Sequence, residues 1–229
     1  MPTIVFASPK GGAGKSTSAV ILASELAATG AGVVIIDADP NRPVSQWSKR
    51  PGRPDSLTVL SSVTEESIID EMEAAATQVP FVVVDLEGTA SMTVAYAISR
   101  ADLVIIPTQG SQLDASEAAK AVRLIRQQEK AFSRKIPYAV LFTRTSAAIK
   151  PRTLQHIRDE FARNGVPALA TQMHEREAFR AIFSFGGTLA RLSAAQVSNP
   201  AAALANARAL AAEVLGLLRQ PSQGAERAA

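Results

Sequence analysis

The segment Lys10–Thr17 constrains this chain more than any other part of its sequence. It reads Lys-Gly-Gly-Ala-Gly-Lys-Ser-Thr, follows the apolar run Thr3–Ala7 and precedes the apolar-periodic run Ala19–Leu26. A strand, a glycine loop and a helix in this order direct backbone N–H groups and the positive end of the helix at one point, where phosphates bind. The pattern predicts a nucleotide-phosphate site, in which Lys15 reaches the β- and γ-phosphates and the Ser16 hydroxyl holds Mg²⁺.

The loop departs from the common G-x-x-x-x-G-K-[ST] pattern at its start. Pro9 stands where the first glycine would be, and a second lysine, Lys10, follows it. We expect the phosphate contacts to come from the rest of the loop, namely Gly11, Gly12, Ala13, Gly14, Lys15, Ser16 and Thr17.

Six apolar runs alternate with helical patterns along the chain. The runs are Ile4–Ala7, Val33–Ile36, Leu57–Leu60, Phe81–Val84, Leu103–Ile106 and Tyr138–Phe142. Their apolar residues are nearly continuous, which is typical of strands buried on both faces of a parallel sheet. Helical patterns cover residues 16–29, 64–77, 90–99, 115–132, 151–164 and 200–218. This alternation predicts an α/β fold, a doubly wound, mostly parallel sheet with helices on both faces.

Acidic residues follow two of the apolar runs. Asp37 and Asp39 come after the second run, and Asp85 comes after the fourth. Ligands of open α/β sheets bind at the carboxyl ends of the strands, so these carboxylates and the glycine loop should lie together. Mg²⁺ needs only one or two carboxylates beside the phosphates, and a further carboxylate can orient a water for attack on the γ-phosphate. A helix cap or a turn is the structural alternative for each aspartate.

Composition limits the possible classes of protein. The chain has 229 residues, 47% of them hydrophobic, enough for one α/β domain, which we assign to residues 1–219. Residues 220–229 are polar, and we expect them to form a disordered tail. The lack of cysteine excludes disulfides, thiolate catalysis and iron–sulfur clusters. Neither a run of about 18 apolar residues nor a signal peptide is evident, so we expect a cytoplasmic protein without stable membrane insertion.

Charge is distributed unevenly between the two halves of the chain. Residues 1–114 hold 7 Lys and Arg against 13 Asp and Glu, a balance of −6, whereas residues 115–229 hold 17 against 8, a balance of +9. This asymmetry favours a polyanion as a partner of the second half, with solvated helix faces as the alternative. The candidate basic residues are Lys120, Arg123, Arg126 and Lys130 on one helical pattern, then Arg144, Lys150, Arg152, Arg158 and Arg163, and finally Arg176 and Arg180.

Together, these motifs resemble those of a small ParA-type partition ATPase of the ParA/MinD family, whose phosphate loop is called a deviant Walker A motif. The resemblance is carried by Lys10–Thr17, Asp37–Pro40, the strand ending at Asp85, and Asp102–Thr108, and it covers roughly residues 3–185. It implies a P-loop NTPase fold of the deviant Walker A type, with ATP and Mg²⁺ as cofactors.

The resemblance also implies roles for individual residues. Lys15 corresponds to the phosphate-loop lysine, and Lys10 to the lysine that reaches the nucleotide of the partner subunit in a face-to-face ATP-dependent homodimer. Asp39 would support the attacking water, and the segment Thr171–Arg176 is similar to a late loop near the adenine and the dimer face. The implied catalytic residues are Lys10, Lys15 and Asp39, and the implied metal-binding residues are Ser16, Asp37 and Asp85.

One pair of residues departs from the family pattern. The family usually has a small or Thr-Pro pair between the strand aspartate and the next glycine, whereas this chain has Leu86 and Glu87. Glu87 adds negative charge near the expected γ-phosphate, which concerns the turnover rate rather than the fold. His156 and His174 lack metal-ligand spacing, and we expect them, like Trp47, to be surface or packing residues.

The function implied by the resemblance is that of an ATP-driven positioning protein. Its ATP-bound dimer would bind nucleoid DNA without sequence specificity, and a ParB-like or adaptor partner would stimulate hydrolysis and release. The cargo would be a plasmid, a chromosome region or a protein cluster. Because the chain begins at its first strand, we expect it to lack an N-terminal DNA-binding domain and not to bind an operator.

Two other functions remain open from the sequence. A MinD-like membrane-surface regulator needs an amphipathic C-terminal helix with bulky apolar residues, whereas residues 202–218 are mostly Ala and Leu and are expected to pack on the domain. A metabolic ATP-dependent ligase or kinase of the same fold needs a specific substrate pocket, and no extra catalytic cluster is evident.

Overall fold

A computed structural model describes residues 1–88, 91–149 and 151–219. The strands are β1 (Thr3–Phe6), β2 (Val33–Ala38), β3 (Leu57–Leu60), β4 (Phe81–Leu86), β5 (Leu103–Thr108), β6 (Tyr138–Thr145) and β7 (Met173–His174). The helices are α1 (Lys15–Ala27), α2 (Pro43–Ser48), α3 (Ile68–Gln78), α4 (Met92–Arg100), α5 (Gln112–Phe132), α6 (Arg152–Arg163), α7 (Glu177–Phe185) and α8 (Pro200–Arg219), with a 3₁₀ helix at Leu189–Arg191.

The seven strands form one sheet in the order β3-β2-β4-β1-β5-β6-β7, and every pairing is parallel. The chain moves from β1 to one side for β2 and β3, and later to the other side for β5, β6 and β7. The order therefore reverses beside β1, and the loop that follows β1 lies where such sheets bind ligands. The predicted doubly wound fold is confirmed, and the sheet is entirely rather than mostly parallel.

Two hydrophobic clusters cover the two faces of the sheet. One is built on α1, α2, α7 and α8 and includes Trp47, which is 1% exposed. The other is built on α3, α4, α5 and α6 and includes Phe142 and Met72. Strand residues alternate between the clusters, with Ile4 and Phe6 in the first and Val5 in the second. Burial on both faces explains why the strands appear in the sequence as continuous apolar runs.

The predicted elements exist, but several boundaries differ because polar side chains begin the helices. Ser111 accepts a hydrogen bond from the backbone of Asp114, so α5 begins at Gln112 rather than at residue 115. Thr64 and Ser67 form a hydrogen-bonded turn, so α3 begins four residues later than expected. The beginning of the 90–99 pattern lies outside the described residues, as do Lys150 and the predicted tail 220–229.

Two short elements, β7 and α7, were not anticipated. The strand β7 has only two residues and pairs with β6 across a register irregularity, so it lacks the apolar run by which the other strands were recognised. The helix α7 follows it directly and carries Phe179 and Ile182 into the core.

The last helix, α8, meets the length and hydropathy requirements for a membrane span. Its mean hydropathy reaches 1.4 over an 18-residue window, because the helix contains many alanines and leucines. The core helix of a globular protein meets the same requirements, and the buried residues of α8 lie on one face against the body of the protein. They are Ala203, Ala207, Leu210, Ala211 and Val214. The expected packing of this helix on the domain is confirmed, and Asn206, Arg208 and Glu213 interrupt its apolar residues.

Candidate nucleotide-binding site

The glycine loop joins β1 to α1 in the order that the sequence predicts. Gly12 and Gly14 have φ values of +75° and +96°, in the left-handed region that favours glycine. Gly14 is the residue that precedes α1, and no side chain caps the helix there. The first N–H groups of α1 therefore remain open to an anion at the positive end of the helix dipole.

A cavity of about 360 Å³ opens directly over this loop. Predicted phosphate-contacting residues line it, together with residues from the loops after β2 and β4 and from the end of β6. Ala13 is the exception among the loop residues: it is 1% exposed, and its carbonyl accepts a hydrogen bond from the Thr143 hydroxyl at 2.8 Å. The lining residues are Gly11, Gly12, Gly14, Lys15, Ser16, Thr17, Asp39, Pro40, Asn41, Glu87, Gly88 and Arg144.

Lys15 is held across the loop by its own backbone. Its ammonium group donates to the carbonyls of Ser8 and Lys10, both at 3.3 Å. Burial lowers the pKa of Lys15, and the nearby carboxylates of Asp85 and Asp39 oppose that shift. The ammonium group of Lys15 is therefore a buried positive charge inside the glycine loop.

Asp37 and Asp85 are direct neighbours in the sheet, because they pair across β2 and β4. Neither lines the cavity; both are buried, and each is the next-to-last residue of its strand rather than lying after the strand as expected. Asp37 accepts hydrogen bonds from the backbone N–H and the hydroxyl of Ser45, both at 2.7 Å, so one of its oxygens anchors the beginning of α2. Burial raises its pKa, and the bonds from Ser45 oppose the shift.

Three carboxylate oxygens in this pair have no hydrogen-bond partner among the described residues. They are Oδ1 of Asp37 and both oxygens of Asp85. Burial raises the pKa of Asp85 to about 7, although the nearby Ser16 hydroxyl and Lys15 ammonium lower it. A buried carboxylate without partners is costly, and cations are the usual partners of such groups.

Asp39 and Glu87 place two further carboxylates on the cavity wall. One oxygen of Asp39 accepts from the backbone and side-chain amides of Asn41, at 2.8 and 3.0 Å, and its other oxygen takes no part in these bonds. Leu86, beside Glu87, is fully buried in the core. The departure from the family pattern therefore puts one apolar residue inside and one charge at the cavity.

Lys10 does not line the cavity. Its ammonium group lies 2.5 Å from Oδ1 of Asp114, on a carboxylate that is 4% exposed. Burial would raise the pKa of Asp114, but hydrogen bonds from Lys10 and Ser111 outweigh it and hold that pKa below its usual value. The two lysines of the loop thus lie in different environments: Lys15 bonds to backbone carbonyls inside the loop, and Lys10 forms an ion pair with Asp114.

A second, smaller cavity of about 50 Å³ shares Gly14, Thr17 and Arg144 with the first. We call it the base-end cavity, because it adjoins the first cavity on the side of the segment 171–176, which resembles a family loop near the adenine. Predicted residues of the segment 171–176 line it, including His174. His174 shares a 2.9 Å hydrogen bond with the Thr145 hydroxyl, and burial and the charge of Arg176 lower its pKa. His174 therefore lies at the site, whereas His156 is exposed on α6.

Several residues at the site were not identified from the sequence, among them Gln109, Asp114, Gly88 and Thr143. Gln109 donates to the Gly12 carbonyl at 3.1 Å, and Asp114 binds Lys10. Gly88 packs against the loop, since a Cβ there would lie 3.1 Å from the Gly11 nitrogen. Thr143 bonds to Ala13 from β6. Gln109 directly follows β5, so the rule that selected the aspartates after the other runs could have found it.

The basic candidates divide into residues at the cavities and residues on exposed helix faces. Arg144, Arg176 and Arg180 line the base-end cavity. Arg158 is half-buried, with its guanidinium 5.5 Å from the centre of the Phe142 ring. The exposed helix residues are Lys120, Arg123, Arg126 and Lys130 on α5, and Arg152 and Arg163 on α6.

The fold and the loop define a class of protein, the P-loop NTPases of the ParA/MinD type, and comparisons define the family. The family model for VirC1 protein matches residues 1–218. The chain is 43% identical over 220 residues to a protein ParA of Rhizobium radiobacter, covering 96% of this chain and 99% of that protein. It is 30% identical over 187 residues to protein virC1 of Rhizobium rhizogenes, covering 80% of each. The chain therefore belongs to the VirC1 family of ParA/MinD-type partition ATPases.

Solved structures support the fold. Apo McdA of Cyanothece aligns with a TM-score of 0.73 at 16% identity, covering 90% of this chain and 99% of that one. A putative plasmid partition protein of Borrelia burgdorferi, bound to AMPPNP, aligns with a TM-score of 0.63 at 20% identity, covering 90% and 97%. Cobyrinic acid a,c-diamide synthase of Mycobacterium smegmatis, with an ATP analogue and magnesium, reaches 0.73 at 16% identity, covering 97% of both chains. A biosynthetic enzyme thus shares the fold, so the shape alone does not choose the function.

The burial of Asp85 predicts how stability depends on pH. Its pKa of about 7 in the folded protein lies above its ordinary value of 3.8, so the folded state binds more protons than the unfolded state between these values. Stability contributed at this position therefore falls as the pH rises through that window. We expect Asp85→Asn to gain stability relative to wild type as pH rises to about 7, by at most about 1.4 kcal/mol per pH unit, with no further gain above it.

Urea unfolding of both nucleotide-free proteins at several pH values measures this difference. Asp55→Asn, at an exposed position near the amino end of β3, is the matched control. A stability difference between Asp85→Asn and wild type that did not change with pH would contradict the prediction.

Proposed function

We propose that this chain is an ATPase of ParA type that binds ATP and Mg²⁺ over the loop Lys10–Thr17, dimerises on ATP and positions a cargo on DNA. Residues 1–219 would form its single ATPase domain. The observation that carries the proposal is the set of unpartnered carboxylate oxygens on Asp37 and Asp85 beside Lys15 and an uncapped helix N-terminus. At this sheet edge the carboxylates would bind a cation, and Lys15 and the helix N-terminus would bind phosphates.

The donor set suits Mg²⁺ rather than a metal held by protein alone. Within the described ranges, no group of three or more His, Asp or Glu side chains forms a metal cage. Mg²⁺ usually keeps several waters and takes one or two carboxylates plus phosphate oxygens. Ser16, Asp37 and Asp85 would hold it, directly or through waters, and when bound it would neutralise charge on the β- and γ-phosphates.

The remaining steps fall to side chains of this chain. Lys15 would bind the β- and γ-phosphates, and the free oxygen of Asp39 would accept a hydrogen bond from the attacking water. Glu87 stands on the same wall and would repel the γ-phosphate, which favours slow hydrolysis in the absence of a stimulating partner. Lys10 would leave Asp114 and reach the nucleotide of a second subunit.

Sequence relatives favour partition over biosynthesis. The relative that is 43% identical along nearly the whole chain is named ParA, whereas the biosynthetic enzyme of this fold is only 16% identical. DNA without sequence specificity is the proposed matrix, and a ParB-like or adaptor protein the proposed stimulator. The protein would act in the bacterial cytoplasm on the nucleoid. The apolar face of α8 is covered by α1 and its neighbours, which disfavours a MinD-like membrane anchor.

The exposed basic faces of α5 and α6 are the proposed DNA surface. Arg123, Arg126, Arg152 and Arg163 are exposed there. Arg144, Arg176 and Arg180 are poor probes of DNA binding, because they line the base-end cavity and their replacement would disturb the nucleotide site as well. One monomer offers few phosphate contacts, and a dimer doubles them, with avidity gains of roughly 10²–10⁴.

The two lysines of the loop should separate nucleotide binding from dimerisation. Lys15→Ala removes the positive charge that would contact the β- and γ-phosphates, so we expect at least about a tenfold loss of ATP affinity. Lys10→Ala should retain binding by the monomer but lose the dimer. Calorimetry and size-exclusion chromatography with a slowly hydrolysed ATP analogue measure both. Lys135→Ala, at the amino end of β6, is the control, and normal dimerisation of the Lys10 variant would overturn the sandwich arrangement.

Asp39 should be needed for hydrolysis and not for binding. Asp39→Ala removes the carboxylate proposed to orient water and leaves the loop intact, so turnover should fall at least about a hundredfold while ATP affinity and dimerisation persist. Steady-state phosphate release gives the rate, with Asp55→Ala as the matched variant far from the site. An unchanged rate would refute this role.

DNA binding should require ATP, should not depend on the base sequence of the DNA, and should weaken steeply as the salt concentration rises. Charge reversal at Arg123 and Arg126, or at Arg152 and Arg163, should weaken it while sparing ATP hydrolysis. Arg100→Glu, on α4 in the acidic half, is the control. Co-sedimentation with DNA and, separately, with anionic vesicles measures both alternatives. Equal DNA binding with ATP, ADP and no nucleotide, or binding to vesicles alone, would reject the DNA-matrix function.

A further inference from the structure

The last helix holds the backbone of the segment that lines the base-end cavity. Asn206 accepts a hydrogen bond from the N–H of His174 at 3.1 Å and donates one to the carbonyl of Gln172 at 2.7 Å. Two turns further along α8, Glu213 accepts hydrogen bonds from the N–H groups of Ala170 and Thr171, at 2.7 and 2.8 Å, with one oxygen for each. Two side chains of α8 thus bond to four backbone polar groups of this segment, three N–H groups and one carbonyl.

The sheet holds the same segment mainly at its two ends, where the N–H of Leu169 donates to the carbonyl of Val140 and the N–H of Glu175 to that of Thr145, each at 2.8 Å. The strand β7 contains only Met173 and His174, and its pairing with β6 is interrupted by a register irregularity. The N–H groups of Ala170 and Thr171, which precede it, donate to Glu213 instead of to a strand. The position of the 170–174 backbone therefore depends on α8 as well as on β6.

The helix α8 itself rests on the helix that begins at the phosphate loop. Its buried face packs in the same cluster as α1, and Arg208 lies 3.7 Å from the carboxylate of Glu25, which is 7% exposed. Burial raises the pKa of Glu25, and the charge of Arg208 opposes that shift. A continuous path thus runs from the phosphate loop along α1, through α8, to the base-end cavity.

We propose that Asn206 and Glu213 are positioning residues, which set the distance and angle between the base-end cavity and the phosphate loop. This proposal rests on the proposed ATP binding at that loop. The two cavities share Gly14 and Thr17, so a nucleotide with its phosphates on the loop extends its nucleoside toward Met173 and His174. Neither Asn206 nor Glu213 lines a cavity, so both act through the backbone that they hold.

The role predicts a loss confined to the nucleoside end of the ligand. Asn206→Ala and Glu213→Gln should each weaken ADP binding about tenfold, since each removes at least one backbone hydrogen bond worth about a factor of ten. Tripolyphosphate, which lacks a nucleoside, should bind with unchanged affinity. In ATP hydrolysis, KM should rise by a similar factor while kcat stays unchanged, because Lys15 and Asp39 are not moved.

Calorimetry with ADP and with tripolyphosphate, on the full chain, tests the proposal. Ala209→Gly is the matched control, because it lowers helix propensity at an exposed position of α8 and removes none of these hydrogen bonds. Hydrogen exchange of the amides of Ala170, Thr171 and His174, without nucleotide, gives a second readout. Exchange at Ala170 and Thr171 should accelerate in Glu213→Gln, and at His174 in Asn206→Ala.

The outcomes separate this role from the function on which it rests. If wild type binds ADP and both variants match it, or if Ala209→Gly reproduces their losses, the positioning role is wrong. Equal losses for ADP and tripolyphosphate would also overturn it, since the defect would then be general. If wild type binds no adenine nucleotide, the proposed function fails, and the positioning role fails with it.

Discussion

The structure depends on a cluster of charges that the fold forces out of water at one edge of the sheet. Parallel pairing of β2 with β4 puts Asp37 beside Asp85, and the loop after β1 brings Lys15 close to Asp85. Three carboxylate oxygens remain without a hydrogen-bond partner in the described part of the chain. Such burial has a free-energy cost that a ligand can relieve, so the site is built for binding rather than for stability.

The same edge assigns different environments to the two lysines of the loop. Lys15 bonds to backbone carbonyls inside the loop, whereas Lys10 lies on the nearly buried carboxylate of Asp114. The first position suits a permanent phosphate contact. The second suits a side chain that must exchange one anionic partner for another, because its present partner belongs to the same subunit.

The sheet gives the phosphate end of the site a rigid frame, and the nucleoside end is supported differently. Phosphate groups would meet backbone amides at the junction of β1, a buried inner strand of the sheet, and α1, a helix of 13 residues. The base-end cavity is lined by a two-residue strand and its flanks, which depend on side chains of α8. The last helix of the fold therefore has a part in the site, although it lies far from the loop in sequence.

Local sequence was sufficient for the fold class and the phosphate loop. Continuous apolar runs, a glycine loop and carboxylates at strand ends are signals contained within a few residues, and they predicted the doubly wound sheet, Lys15, Asp37, Asp39 and Asp85. Only the tertiary structure revealed the pairs Lys10–Asp114, Thr143–Ala13 and Glu213–Thr171, because each joins residues that are 42 to 130 positions apart. A hydrogen bond between distant positions leaves no periodic pattern in the chain, so such contacts follow from packing alone.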